Sequence, residues 1–262
     1  MTTNTVQFTD PTSKAGEPVE TQASEHRGPC PALNALANDG YLPRDGKVTV
    51  DQLVHALHER LGIARSIGTL LAKVAMAKLG TPGEGGTRVL DLADLVQHGF
   101  IEHDASLTRV DSRDGDAAAV CPPLVDQLVS LSQDGKTLTL EDLATAHQLR
   151  MAQSAAGGHS VPLKAGVIGT FEAALLYQVL RGSGAVAVTE AREFLGSEHV
   201  PADLARRDIG WGSLVLTAAR LALMGNSPFS AAKLRADELA AGPAPVCPFP
   251  HAAKSASGGN EG

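Results

Sequence analysis

A cysteine held between two prolines at the head of an apolar helix does most to constrain this chain. In Arg27-Gly28-Pro29-Cys30-Pro31-Ala32-Leu33-Asn34-Ala35-Leu36, Pro31 keeps the backbone of Cys30 extended and suits the first position of a helix, which makes Cys30 the N-cap. Its sulfur then faces the unpaired N–H groups of the first turn and the positive end of the helix dipole, and both favour thiolate over thiol. A thiolate fixed there is a nucleophile or a metal ligand. The plain alternative is a turn with a small buried sulfur in it.

The rest of the core has to be built without large rings. Of 262 residues, 43% are hydrophobic but only 3% aromatic, so Ala, Leu and Val must fill the interior, and Ala and Leu favour helix. The length suits one domain burying roughly three quarters of its unfolded surface. A formal charge of −7 and a pI near 5.7, with no run of Lys or Arg, leave no electrostatic footprint for nucleic acid or an anionic membrane. The opening residues, Met1 to Gln7, lack the basic start and apolar centre of a secretory signal, and no apolar run approaches the about 20 residues of a spanning helix. The chain as given therefore reads as soluble, with an intracellular location favoured.

Residues 1–24 are polar and read as a flexible arm, 25–242 as one folded domain, and 243–262, rich in Pro, Gly, Ala and Ser, as a loose tail. Within the domain, Val48 to Leu53 runs from an extended piece into a helix with Leu53, Leu57 and Leu61 on its apolar face. Ile63 to Leu79 reads as a substantially buried helix. Val89 to Leu95 is short and amphipathic, and Thr108 to Ala119 is charged and expected to loop outward. Helices follow from Pro122 to Leu131, Leu140 to Ser154 and Ile168 to Leu180. Thr189 caps Glu190 to Leu195, and Trp211 to Met224 is the final buried helix. The class is all-α.

Two segments echo each other, Asp45-Gly46-Lys47-Val48-Thr49 and Asp134-Gly135-Lys136-Thr137-Leu138-Thr139, and both have the look of the back half of a calcium loop. With Gly46 in sixth place, Tyr41 and Pro43 fall where oxygen ligands are needed, so that loop holds no calcium. Around Gly135 the set is weak. A recurrent turn-and-cap device is the better account of both.

Of the three cysteines, Cys121 and Cys247 remain once Cys30 is set aside. Two free thiols in a reducing compartment are expected, with an internal pair or an intermolecular bridge through Cys247 as alternatives.

Residues 27–46 closely resemble the proximal segment of the haem-thiolate peroxidases, the family of chloroperoxidase and the unspecific peroxygenases. The resemblance implies that Cys30 is the axial ligand of the iron of haem b, where a thiolate pushes electron density onto the metal and favours O–O cleavage. The fold it implies is a single compact multi-helix haem domain of the chloroperoxidase type. Gly99-Phe100-Ile101-Glu102-His103-Asp104-Ala105-Ser106 is similar to the family's second signature, in the His-containing form of chloroperoxidase and the short peroxygenases. By itself this stretch reads as a helix cap. The resemblance implies instead that Glu102, Ser106 and the His103 carbonyl, with a haem propionate, hold magnesium or manganese, to which hard oxygens are suited. His103 then points into the distal cavity and Asp104 orients it.

A carboxylate must also take a proton from hydrogen peroxide and return it to the departing oxygen. Glu172 is an isolated charge in the apolar run Ile168-Gly169-Thr170-Phe171-Glu172-Ala173-Ala174-Leu175-Leu176, costly there unless used or paired, and Phe-Glu-Ala-Ala-Leu matches the family's acid-base segment. Where long peroxygenases carry Arg seven residues earlier, this chain has Ala165, consistent with His103 in that role. Ile63, Ile67, Leu70, Leu71, Ile101 and Ile168 are candidates for an aliphatic substrate channel, although each is equally at home in a core.

The function implied is hydrogen-peroxide-dependent oxygen insertion into, or one-electron oxidation of, small organic substrates. The alternatives are a halogenating enzyme and, from another class, a haem- or calcium-binding module without turnover. The short members of the family are dimeric, which implies a homodimer here, and the family is best known from secreted fungal enzymes, from which the missing signal departs.

Overall fold

The computed structural model describes residues 26–99 and 101–248. The arm expected at 1–24, and all of the tail beyond 248, lie outside the described residues.

Nine α-helices are found among the described residues, with two small sheets, so the all-α expectation holds. Helix α1 (Pro31–Asn38) begins one residue after Cys30, its N-cap, with proline at the start as the sequence requires. The two echoing turns are the same device built twice. In each, a glycine sits in the left-handed region (Gly46, φ 75°; Gly135, φ 68°), and an Asp side chain accepts the Lys amide two residues on. A two-residue strand follows, β1 (Lys47–Val48) in the first copy, and then a threonine N-cap with a capping box. Thr49 with Gln52 starts α2 (Val50–Leu61), which buries Leu53, Leu57 and Leu61 as its spacing predicts.

Helix α3 (Arg65–Leu79) buries Ile67, Ala72 and Met76, but Leu70, Leu71 and Val74 are about half exposed. The expectation of a largely buried helix is thus corrected: α3 packs mainly on α2 and offers it one face. The strands β2 (Thr81–Pro82) and β3 (Arg88–Asp91) complete an antiparallel sheet with β3 central, and a 3-10 turn, Leu92–Val96, follows.

Helix α4 (Pro122–Ser130) starts after Cys121. In the second copy of the device, β4 (Thr137–Leu138) leads into Thr139, which with Asp142 caps α5 (Leu140–Ala156). Helix α6 (Leu163–Leu180) begins five residues before the expected Ile168 and is long and apolar enough, by length and composition, to cross a membrane. Here it packs between α5 and α8 (Trp211–Asn226).

Strand β5 (Val186–Ala187) pairs with β4 and runs straight into α7 (Val188–Gly196). Because the Val188 amide is drawn to the Lys136 carbonyl at 2.8 Å, the helix starts ahead of Thr189, and the cap expected at Thr189 is corrected. Helix α8 is neither final nor fully buried, since Trp211, Val215, Leu216 and Leu223 are exposed. Beyond it, α9 (Ala231–Ala240), capped by Ser230, buries Ala232 and Ala236 and packs chiefly on α5.

Two further expectations are overturned. Cys121 and Cys247 are joined in a disulfide with Cα atoms 5.5 Å apart, not left as free thiols, so the described part of the tail is tied to the start of α4. The start of the segment Thr108 to Ala119 does not loop outward, although Arg113, Asp114 and Asp116 further on are exposed. Thr108, Arg109 and Asp111 are buried, because Asp111 accepts bonds from the Ala105 amide, Arg150 and Ser154, which stitches the loop onto α5.

Candidate active site

One end of α1, the outward stretch of α6, the edge of α7 and the loop 101–109 enclose a cavity of about 180 Å³ whose wall is mostly apolar. Cys30 and Glu172 both line it, from opposite halves of the sequence, together with Glu102, Ser106 and Arg109. Its hydrophobic wall includes Leu61, Ile63, Ile101, Leu107, Leu175 and Leu176.

The proximal side is held by a polar clamp behind the cysteine loop. Asn34 accepts from the Gly28 amide and donates to the Gly28 carbonyl, and it also donates to Glu198 at 2.8 Å. Gly28 lies so close to the Leu92 carbonyl, 2.1 Å from where a Cβ would stand, that no other residue fits. These bonds fix the direction of Cys30. Burial pushes the Cys30 thiol above its usual pKa; the Leu33 amide opposes this, Glu172 adds to it, and the Ala32 amide and Arg109 oppose it more weakly. The expectation that the helix terminus alone yields a thiolate is therefore corrected: desolvation outweighs the helix amides, and a bound cation is what would displace the proton.

On the distal side, Nε2 of His103 is 3.2 Å from a Glu172 carboxylate oxygen and Nδ1 is 2.7 Å from the backbone carbonyl of Asp104. His103 is 6% exposed and Glu172 is 52% exposed at the cavity wall. Burial works against a charge on His103, but the hydrogen bond and charge of Glu172, with smaller help from the Asp104 carbonyl and Glu102, raise its pKa to about 9. At neutral pH both ring nitrogens donate. The contact between Asp104 and His103 runs through the Asp104 main chain, not the carboxylate assigned that part. That carboxylate accepts the Ser112 amide at 2.7 Å and lies 3.5 Å from His159.

Glu102 is buried, with its carboxylate 2.7 Å from Nδ1 of His98; burial raises its pKa while the His98 bond and charge oppose the rise. The Ser106 hydroxyl donates to the His103 carbonyl at 3.4 Å. Ala105 between them has a φ of 68°, an uncommon conformation for a residue with a side chain. The bond from its amide to Asp111 holds it there.

Of the six channel candidates, Ile63 and Ile101 line the cavity. Ile67 is in the main core, Leu70 and Leu71 face outward on α3, and Ile168 is half-buried one turn before Glu172.

One residue of the site escapes sequence reasoning altogether. His147, buried in α5, packs against the same glycine as His103: a Cβ on Gly169 would stand 2.8 Å from the His147 ring and 3.3 Å from that of His103. Its Nε2 lies 3.3 Å from the Thr170 hydroxyl. Burial, reinforced by the charge of His103, lowers its pKa to about 4 despite Glu172 and the Gly166 carbonyl, so it is neutral.

A half-buried thiol at one wall, a histidine-backed carboxylate at the other, and apolar side chains between them suit a flat apolar macrocycle with a thiolate-bound metal. The buried Arg109, whose Nη1 has no hydrogen-bond partner, suits an acidic group on that macrocycle.

Residues 8–209 match the family described as "Peroxidase, family 2", and the chain belongs to it. The chain is 37% identical over 95 residues to a chloroperoxidase of Leptoxyphium fumago, covering 35% of this chain and 26% of that protein. It is 35% identical over 120 residues to an aromatic peroxygenase of Cyclocybe aegerita, covering 40% and 32%, and 26% identical over 159 residues to an aromatic peroxidase of Fusarium equiseti, covering 52% and 36%. The matches thus span about a quarter to a third of the length of these relatives. Haem is the cofactor that membership implies.

Proposed function

We propose that this chain is a haem-thiolate peroxygenase or peroxidase that uses hydrogen peroxide to oxidise small organic substrates. The observation that carries it is the single cavity shared by Cys30 and Glu172, with His103 behind the glutamate.

Cys30 would hold haem through its iron, and the group would supply the redox chemistry of peroxide activation. The helix amides of Ala32 and Leu33 lie toward the sulfur and temper its negative charge. Across the cavity, the Glu172 carboxylate accepts a proton from hydrogen peroxide and returns it to the oxygen that leaves as water. His103, protonated, donates to Glu172 and holds it in place, while the Asp104 carbonyl holds the other ring nitrogen. The apolar wall admits a small hydrophobic substrate and excludes bulk water.

Glu102, Ser106 and the His103 carbonyl are the oxygens we assign to a magnesium or manganese ion beside a haem propionate. All three come from one braced loop, and Glu102 and Ser106 line the cavity. The domain is assigned to 25–242, and the Cys121–Cys247 disulfide ties the segment after it back to the start of α4.

The deciding experiment reconstitutes the protein with haem and records the reduced carbon monoxide adduct alongside product formation from an alkane or aromatic substrate with peroxide. A Soret band at the long wavelength of thiolate ligation, lost in Cys30→Ala, and an oxygenated product are expected. Haem bound identically by Cys30→Ala would overturn the assignment.

A further inference from the structure

Arg109 is buried in the wall of the cavity, and its guanidinium is only partly used. Nε donates to the carbonyl of Pro29, the residue before the cysteine, at 3.2 Å, and Nη2 pairs with Glu198. Nη1 is fully covered and has no hydrogen-bond partner among the described residues. A buried guanidinium N–H without an acceptor is costly. The fork is therefore incomplete, and Arg109 is among the residues that line the cavity, so a group bound there lies beside this side chain.

What the missing acceptor is follows from the chemistry. A guanidinium matches a carboxylate best, in both charge and shape. Haem brings two carboxylates into a cavity whose wall is mostly apolar. One of them is assigned above to the cation beside Glu102 and Ser106; the other needs a partner, and Arg109 follows Ser106 by three residues on the same loop. We propose that Arg109 anchors an ionised carboxylate of the haem, making it a cofactor-binding residue. Because its Nε also holds the Pro29 carbonyl, the same side chain couples the seating of the porphyrin edge to the position of the cysteine loop. The inference rests on the haem-thiolate reading.

The test titrates haem and haem dimethyl ester, in which both carboxylates are masked, into haem-free wild type and Arg109→Gln, following the thiolate Soret band. Wild type should bind haem more tightly than the ester. In Arg109→Gln that preference should shrink by about tenfold or more, the worth of one charge-assisted bond. An unchanged preference, with the thiolate band intact, overturns the role of Arg109 and leaves the haem-thiolate reading standing. Absence of the band from wild type overturns both. If Arg109→Gln does not fold, wild type labelled with 15N-arginine decides. The Arg109 side-chain resonances should move with diamagnetic gallium protoporphyrin and respond differently to its dimethyl ester, and identical spectra with the two overturn the proposal.

Discussion

His103 and Glu172, 69 residues apart in sequence, meet at 3.2 Å, and the contact raises the pKa of a buried imidazole instead of letting burial lower it. Everything on the distal side is arranged around that pair. The main chain of Asp104 holds one ring nitrogen, and α6 brings the carboxylate to the other.

Replacing Glu172 by Gln keeps the shape of the wall and removes the carboxylate to which the proposed function gives the proton transfer. Haem uptake and the carbon monoxide spectrum should match wild type, while peroxide-dependent turnover falls by on the order of 10²–10⁴. Stopped-flow mixing with peroxide measures this directly. Turnover within a factor of two of wild type would remove Glu172 from the chemistry.

Gly169 sets the gap between two rings. By helix propensity alone Gly169→Ala should stabilise α6 by about 1 kcal/mol. The added methyl, however, would sit 2.8 Å from His147 and 3.3 Å from His103, both buried, and overpacking of that kind costs about 1–3 kcal/mol. The clash should win. We expect a lower melting temperature and a lower kcat, with haem ligation by Cys30 preserved.

The two histidines make opposite contributions to stability against pH. His103 has its folded pKa raised to about 9 from an ordinary 6.5, so its contribution is complete below about 6.5 and is lost as pH rises through 9. His147, lowered to about 4, contributes above about 6.5 and loses that contribution as pH falls toward 4. In haem- and metal-free protein, Glu172→Gln should flatten the loss of stability between pH 6.5 and 9, and His147→Gln the loss between 6.5 and 4. Denaturant melts at half-unit intervals of pH, each variant against wild type, would show it.

How far the sequence could be read depended on whether a residue's partners lay nearby in the chain. Cys30, Thr49 and Thr139 declare themselves because a proline or a capping partner stands within three residues. Helix α9 did not, since its buried face is Ala232 and Ala236, and alanine does not distinguish a wet side from a dry one. Asp111 and Arg109 fall in a charged stretch whose sequence reads as an outward loop, because their partners, Arg150, Ser154, Glu198 and Pro29, lie 39 to 89 residues away. Local pattern carries no such information. His147 was invisible for the same reason: its neighbours His103 and Gly169 come from two other segments.

Asp111 bonds the Ala105 amide at 2.8 Å, Arg150 at 2.8 Å and Ser154 at 2.5 Å, all inside the protein. Removing one partner of a buried pair strands the other, at a cost of about 3–5 kcal/mol. Asp111→Ala should therefore unfold at markedly lower denaturant. It should also release Ala105 from its left-handed backbone, disturbing His103 and Ser106 on either side. A loss of stability that leaves turnover per folded molecule unchanged would show that the brace does not reach the site.

The Cys121–Cys247 link closes a loop of 126 residues. Loop-closure entropy for that length gives an upper figure of about 5 kcal/mol, with about 2–4 kcal/mol the usual yield. Neither cysteine lines the cavity that holds Cys30 and Glu172, so the effect should fall on stability and spare the chemistry. Cys247→Ser, or a mild reductant applied to wild type, should lower the melting temperature while leaving the thiolate spectrum and kcat at low temperature as they were. The reductant should also leave Cys247→Ser unaffected. If reduction changed the haem spectrum of wild type and of Cys247→Ser alike, the sensitive sulfur would be Cys30 and not the link.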